Sequence, residues 1–238
     1  MKDYERQTQK IYNKMKCIWP QDNSWYDFTH SQILKFIYKY KSLFNSDDKV
    51  LNAGSGGTVY NIRGNMYHVD LATNLIKHLP NAYTSSIEKM PFLDGFFNSV
   101  ICVGSVINYC NAMTAISEIS RVMSKDSYLI IEYERSFTGE LFFKSGYGKN
   151  IVKQVYDYNG QHNHNLWLYS DNYINQILKE NGLQIIDSKL FHLLSSLKNR
   201  FINDEIKAGY ASKYDKYLPK WFAYRIAHNR ILLCYKSF

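Results

Sequence analysis

The chain has 238 residues, 45% of them hydrophobic, and a net charge of +8. That is enough to bury a core as one domain with at most a small appendage. No apolar run approaches the ~18 to 20 residues that span a bilayer, and the start, Met1-Lys2-Asp3-Tyr4-Glu5-Arg6, lacks a signal peptide's apolar centre, so a cytoplasmic protein with no membrane partner is expected. Cys17, Cys102, Cys110 and Cys234 show no C-x-x-C or Cys/His ligand spacing, so neither a metal site nor a disulfide scaffold is expected. The basic residues are scattered through a Lys-, Asn-, Ile- and Tyr-rich chain, which ranks a nucleic-acid partner behind a small molecule. Oligomeric state is not readable.

Residues 4–17 carry Tyr4, Ile11, Tyr12 and Met15 at a loose helical spacing. Residues 18–28, aromatic and broken by Pro20, read as a loop. Thr29 then caps a predicted helix to about Phe44, with Ile33, Phe36, Ile37, Tyr40 and Leu43 on one face. Residues 1–47 thus form an N-terminal helical and aromatic segment ahead of a larger domain, 48–238.

That domain opens on Lys49-Val50-Leu51-Asn52-Ala53-Gly54-Ser55-Gly56-Gly57, a short apolar strand and a glycine turn, and continues to Met66-Tyr67-His68-Val69-Asp70, a second strand ending in an acid. Glycines let the chain turn sharply and bring backbone close to a ligand. An acid at the end of the neighbouring strand accepts hydrogen bonds from a ribose diol in nucleotide-binding folds. Val59 stands where the dinucleotide fingerprint needs a glycine, and no Walker A sequence is present. Only eight residues separate Gly57 from Met66, room for about one turn rather than a full helix. A helix from Leu71 to about Leu79, strands at 82–87, 99–103 and 127–132, a helix from about Asp171 to Asn181-Gly182 and a strand at 183–186 follow. Residues 136–168 break the pattern and read as a substrate-side insertion. Residues 196–222 are basic, Tyr-rich and partly helical, and 229–236 closes the chain as a strand.

The run Ser86-Ile87-Glu88-Lys89-Met90-Pro91-Phe92-Leu93-Asp94-Gly95-Phe96-Phe97-Asn98-Ser99-Val100-Ile101 resembles the third- and fourth-strand region of class I S-adenosylmethionine (SAM)-dependent methyltransferases. Ala115-Ile116-Ser117-Glu118-Ile119-Ser120-Arg121-Val122-Met123, followed by Tyr128-Leu129-Ile130-Ile131, resembles their helix-to-fifth-strand segment. With the glycine turn and Asp70, four motifs stand in family order over residues 48–135. The resemblance implies an α/β fold: a Rossmann-like, doubly wound, seven-stranded sheet, mostly parallel with an antiparallel last strand, helices on both faces. It implies S-adenosyl-L-methionine as cofactor, held by Asn52, Ala53, Gly54, Ser55, Gly56, Asp70, Leu71, Ser86, Ile87 and Gly104. The chain departs from the family pattern at Asn52 and Ser86, where acids are usual, at Thr58, where a third glycine is common, and at Asn98, where Asp precedes the fourth strand.

The family's N-terminal segment folds over cofactor and acceptor, which makes Trp25 and Tyr26, with Trp19, expected pocket walls. Asn108 and Tyr109, after the fourth strand, are expected to line the acceptor pocket, Tyr109 in a catalytic role, and His162 and His164 are candidate bases near neutral pH. Ser105-Val106-Ile107-Asn108-Tyr109 lacks the prolines of amino-directed DNA methyltransferases and the Pro-Cys pair of cytosine C5 enzymes, which argues against DNA base methylation and leaves RNA open. The favoured reading is methyl transfer to an O or N atom of a small molecule. The alternatives are an RNA or protein/peptide methyltransferase docking through 196–222, and a non-catalytic SAM-binding or regulatory protein on the same fold.

Overall fold

The computed structural model describes residues 1–15, 17–158 and 162–237, and the side chains of these except 156–158 and 162–164. Helix α1 spans Asp3–Tyr12 and α2 spans Ser24–Lys39. Asn23, not Thr29, caps α2: its side chain accepts hydrogen bonds from the Trp25 and Tyr26 N–H groups. The helix therefore begins six residues earlier than the sequence suggested and ends at Lys39, followed by a 3-10 turn at 41–43. Thr29 lies inside it, buried and bonded to the Trp25 carbonyl.

Strands β1 (Lys49–Ala53), β2 (Asn65–Asp70), β3 (Ala82–Thr84), β4 (Phe97–Cys102) and β5 (Met123–Glu134) pair in parallel. β6 (Ile151–Tyr158) and β7 (His162–Tyr169) form a separate antiparallel hairpin inside the insertion. β8 (Leu183–Phe191) and β9 (Asn229–Lys236) complete a seven-stranded sheet of order β3-β2-β1-β4-β5-β9-β8, in which β9 runs antiparallel to both neighbours. The strand order reverses between β1 and β4. Crevices outside the carboxyl ends of strands at such a reversal are where open α/β sheets bind ligands.

Alternation along the strands builds two layers. Leu51, Ala53, Val100, Cys102, Leu129 and Ile131 face one side, in a core with α4 (Ala112–Val122) and α5 (Asp171–Glu180). Val50, Ile101, Val103, Ile130, Ile231 and Leu233 face the other, against Ile33, Phe36 and Ile37 of α2. No helix intervenes between β1 and β2; the eight residues between Gly57 and Met66 left room for about one turn, and not even that helical turn forms. Buried Tyr60 and half-buried Ile62 pack into the α2-side core there.

Several elements differ in extent from their sequence signals. The helix after Asp70 shortens to a single turn, α3 (Thr73–Ile76), and β3 stops at Thr84. β5 and β8 are longer than expected, because antiparallel pairing with β9 carries β5 out to Glu134 and β8 to Phe191. Helix α5 follows expectation, with Ser170 as its N-cap and Gly182, at φ +73°, just past its end. The basic segment folds as α6 (Leu194–Ile202), α7 (Glu205–Gly209), a 3-10 stretch at 210–217 and α8 (Lys220–Ile226). No helix of the described residues is long and apolar enough to cross a membrane.

Candidate active site

The carboxyl ends of β1, β2, β4 and β5 open into one cleft of about 1480 Å³. Single small-molecule pockets run about 300–1,000 Å³, so this one has room for two ligands. Its first end is built from Gly54, Gly56, Asp70, Leu71, Ser85, Ser86, Ile87 and Gly104. Asp70 accepts from the Gly56 N–H at 2.7 Å and the Ala72 N–H at 2.8 Å, so the acid ending β2 fixes the turn that follows β1. Burial lifts its carboxyl above the ordinary range, and these backbone donors partly offset the lift.

Four N–H donors of this loop are already engaged. Gly54 and Ser55 N–H groups both point to the Val69 carbonyl, Gly56 N–H to Asp70, and Thr58 N–H to the Ser55 carbonyl. A phosphate needs such N–H groups free. What the loop presents instead is a carboxylate with spare lone pairs, suited to hydroxyl or cationic donors. That fits a nucleoside carrying a ribose diol and a positive charge better than a dinucleotide. The space is equally specific: a Cβ on Gly54 would lie 2.4 Å from the Val106 side chain, and one on Gly56 2.3 Å from Ile18.

Of the other residues expected at this end, Asn52, Ala53 and Ser55 are buried beneath the loop. Asn52 donates to the Thr58 carbonyl at 2.8 Å, and Ser55 Oγ lies 2.8 Å from His68 Nδ1. Thr58, in the place of a third glycine, accepts from Trp19 Nε1 at 3.1 Å, and the Trp19 ring packs over Gly104. Asn98 accepts from the Lys49 N–H at 2.9 Å, a brace between β4 and β1 far from the cleft's ends.

Glu132, on β5, supports the loop after β4. It is fully buried; Oε2 accepts from the Gly104 N–H at 2.9 Å and the Ser105 N–H at 2.7 Å, while Oε1 accepts from Asn229 Nδ2 at 2.7 Å. Burial pushes its carboxyl up to about 7 against the pull of these donors.

Trp25, Tyr26 and Tyr109 line the second half of the cleft, with Thr8 and Tyr12 of α1. Burial above all, then the neighbouring Tyr12, Glu134 and Tyr26, raises the Tyr109 phenol well above its ordinary value, so at neutral pH it is a hydroxyl rather than a base. Asn108 does not reach the cleft. It is fully buried, donating to the Glu134 and Trp167 carbonyls and accepting from the Glu134 N–H, a clamp on the end of β5. His162 and His164 lie on β7, and their side chains are outside the described residues.

Residues not singled out from the sequence close the far end: Glu134, Glu140, Asn199, Arg200, Glu205, His228 and Asn229. His228 Nε2 is 3.3 Å from Glu134, and its Nδ1 is 3.0 Å from Thr138 Oγ1 and 4.0 Å from Glu140. Burial opposes the imidazolium, but the field of Glu140, Glu134 and Glu205 and the Glu134 contact outweigh it and raise His228 to about 9. Among the described residues no group of His, Cys, Asp and Glu has the geometry to hold a metal ion.

Residues 50–131 match the family model described as "Methyltransferase domain". No curated protein sequence matches the chain. Solved structures do. Magnesium protoporphyrin IX methyltransferase from Synechocystis PCC 6803, with bound SAM, aligns at TM-score 0.62 and 13% identity over 100% of this chain and 99% of its own. Geranyl diphosphate C-methyltransferase from Streptomyces coelicolor A3(2) aligns at 0.58 and 11% identity over 100% and 99%. The 1,6-didemethyltoxoflavin-N1-methyltransferase of Burkholderia thailandensis aligns at 0.57 and 11% over 98% and 87%. The sheet order and these alignments show the fold of the class I SAM-dependent methyltransferases, and the match to the methyltransferase-domain model falls on its β1–β5 core.

Proposed function

We propose that this protein is a SAM-dependent methyltransferase acting on an O or N atom of a small molecule. When bound, the cofactor supplies an electrophilic methyl group, which moves in line to the acceptor's lone pair as the C–S bonding pair returns to sulfur. The chain's contributions are alignment, exclusion of water and removal of a proton. Asp70 takes the ribose hydroxyls, Leu71 and Ile87 flank the base with Ser86 beside it, and Gly54, Gly56 and Gly104 make room for the amino-acid arm. Residues 1–47 cover the site, with Trp25 and Tyr26 as acceptor walls. Tyr109 donates a hydrogen bond to the acceptor. The four cysteines are free thiols, which suits a reducing, cytoplasmic setting.

The observation that carries this reading is the single cleft joining the glycine turn and Asp70 to a walled chamber under α1 and α2. Calorimetric titration of the wild type and an Asp70→Ala variant with SAM and S-adenosylhomocysteine tests it. Micromolar binding by the wild type is expected. Loss of two charge-assisted hydrogen bonds, about 1.5–3 kcal/mol each, weakens the variant at least about 100-fold. Folded wild type that binds neither compound refutes the reading and favours a non-catalytic protein.

One observation favours a second reading, an RNA or peptide acceptor. Phe201, Tyr210, Tyr217 and Trp221 stand exposed among exposed Lys198, Lys207, Lys213, Lys216 and Lys220. Steeply salt-dependent tRNA binding would support its RNA form.

A further inference from the structure

The far end of the cleft is built almost wholly from hydrogen-bond acceptors. Glu134 comes from the end of β5, Glu140 from the 3-10 turn after it, and Glu205 from the start of α7. Asn199 of α6, 8% exposed, donates through Nδ2 to Glu140 Oε1 at 2.9 Å, and its Oδ1 has no partner. Asn229, 2% exposed, donates to Glu132, and its Oδ1 is likewise without a partner. Two buried amide oxygens left unpaired beside three carboxylates is an arrangement that is unfavourable unless a donor fills it.

The cations facing this end do not supply that donor. His228 is bonded between Glu134 and Thr138. Arg200, half-buried, turns Nη1 toward the Glu140 main-chain oxygen at 3.3 Å. Lys144 and Lys153 are exposed at the rim. Trp25 adds an aromatic wall: it stacks on His192 at 4.0 Å between centroids and meets His228 edge-on at 5.3 Å.

We propose that this end of the cleft binds the ammonium group of an amine acceptor, with Asn199 Oδ1, Asn229 Oδ1 and the Glu140 and Glu205 carboxylates taking its N–H donors. The proposal rests on the methyltransferase reading and narrows its acceptor to an amine. An ammonium supplies up to three donors and a positive charge, the complement of this wall. A metal ion is the other way to fill a ring of acceptors, but among the described residues no set of His, Cys, Asp and Glu side chains has the geometry for one. An ammonium has no lone pair, so one N–H proton must leave, with the bonding electrons staying on nitrogen, before nitrogen can attack. Glu205, on the wall that would hold the ammonium, takes that proton in this proposal; burial, then the nearby Glu140 and Glu134, lifts its carboxyl to about 7.

The test is calorimetric, on the full chain with and without saturating S-adenosylhomocysteine, at pH 7.5. The probes are tryptamine, tryptophol and indole-3-acetate, one ring system bearing an ammonium, a hydroxyl or a carboxylate, and spermidine as a non-aromatic amine. At least one amine is expected to bind, with tryptamine at least tenfold tighter than tryptophol and indole-3-acetate weakest. Glu205→Gln, at a half-buried position, and separately Glu140→Gln, are expected to reduce that preference several-fold while leaving S-adenosylhomocysteine affinity within twofold. Equal binding of the three indoles, tightest binding of the carboxylate, or no amine binding to protein that takes up S-adenosylhomocysteine overturns the inference. Failure to bind S-adenosylhomocysteine overturns the methyltransferase reading instead, and the amine titration without it still reads the pocket.

Discussion

Replacing Glu132 by Gln isolates a carboxylate that supports the cleft at the expense of stability. Three donors converge on it, yet its carboxyl is lifted from an ordinary 4.5 to about 7, so burial outweighs the hydrogen bonds. A folded-state pKa raised in this way contributes stability that is fully present below pH 4.5 and lost as pH rises through 7. The lift corresponds to about 3 kcal/mol, an upper limit for the difference between the ionised group and a neutral one in its place. Glutamine is such a neutral group. Its amide oxygen can accept from Gly104 and Ser105, and its NH₂ can meet Asn229 once that side chain turns its unpaired Oδ1 inward. Glu132→Gln should therefore match the wild type near pH 4.5 and become more stable above pH 7. At about 2–4 °C per kcal/mol for a chain of this size, the midpoint at pH 8 should rise by several degrees. Differential scanning fluorimetry across pH 4.5–8.5 measures it, and groups titrating equally in both proteins cancel in the difference. A lower midpoint for the variant at pH 8, or an offset that does not change with pH, would refute the reasoning.

Two further changes probe the scaffold. Arg135 is 1% exposed, paired with Asp171 at 2.7 Å and bonded to the Phe137, Ala227 and Tyr224 carbonyls. Arg135→Met leaves Asp171 only the Tyr133 hydroxyl and the more distant Arg230 and strips those oxygens of their donor, and urea unfolding should show a loss of about 3 kcal/mol. Gly57 has φ +81°, and a Cβ there would sit 2.5 Å from the Leu75 carbonyl. Gly57→Ala should lower stability by about 1–3 kcal/mol, read in the same unfolding experiment, whereas Gly95→Ala, where the nearest atom is 3.7 Å away, should lose less.

The parallel core was legible because its signals are local: apolar runs at strand length, a glycine turn, and an acid at the end of the next strand. The missing helix after β1 was legible as a simple count of residues. The start of α2 was not, since Pro20 and the aromatic run that follows read as a loop. Its buried face also carries Thr29 and Gln32, polar residues tolerated there because they are bonded, Thr29 to Trp25 and to His192 Nε2 at 2.8 Å. Asn108 looked like a pocket residue because it follows β4. The 3-10 turn at 106–109 instead directs it into the core to clamp β5. The far end of the cleft draws on positions from 134 to 229, brought together only by β9 returning beside β5 and by α6 and α7. Its one local cue was the pair Glu132 and Glu134 at a strand's carboxyl end.

The N-terminal helix is packed along one wall of the cleft. Glu88, 7% exposed, binds Lys2 Nζ, accepts from the Tyr4 hydroxyl at 2.5 Å and from the Asn111 N–H at 2.9 Å, and so ties α1 to the start of α4. Gln9 Nε2 reaches the Leu71 carbonyl at 2.9 Å, and Tyr12 packs edge-on to Tyr109 at 5.8 Å. The helix therefore lies along the same wall that Asp70 and Leu71 form, and a ligand of nucleoside size is expected to enter past it by lifting it. Glu88→Gln keeps an oxygen for Tyr4 and Asn111 but removes the ion pair. Because Lys2 is half exposed, that pair is worth about 1 kcal/mol at most. Opening of α1 should then become up to about fivefold more frequent, and S-adenosylhomocysteine should leave faster by the same factor in stopped-flow displacement. Its equilibrium affinity should fall less than its release rate rises, since entry uses the same opening. An unchanged release rate in a variant that still binds would show that α1 is a fixed wall and that ligands enter elsewhere.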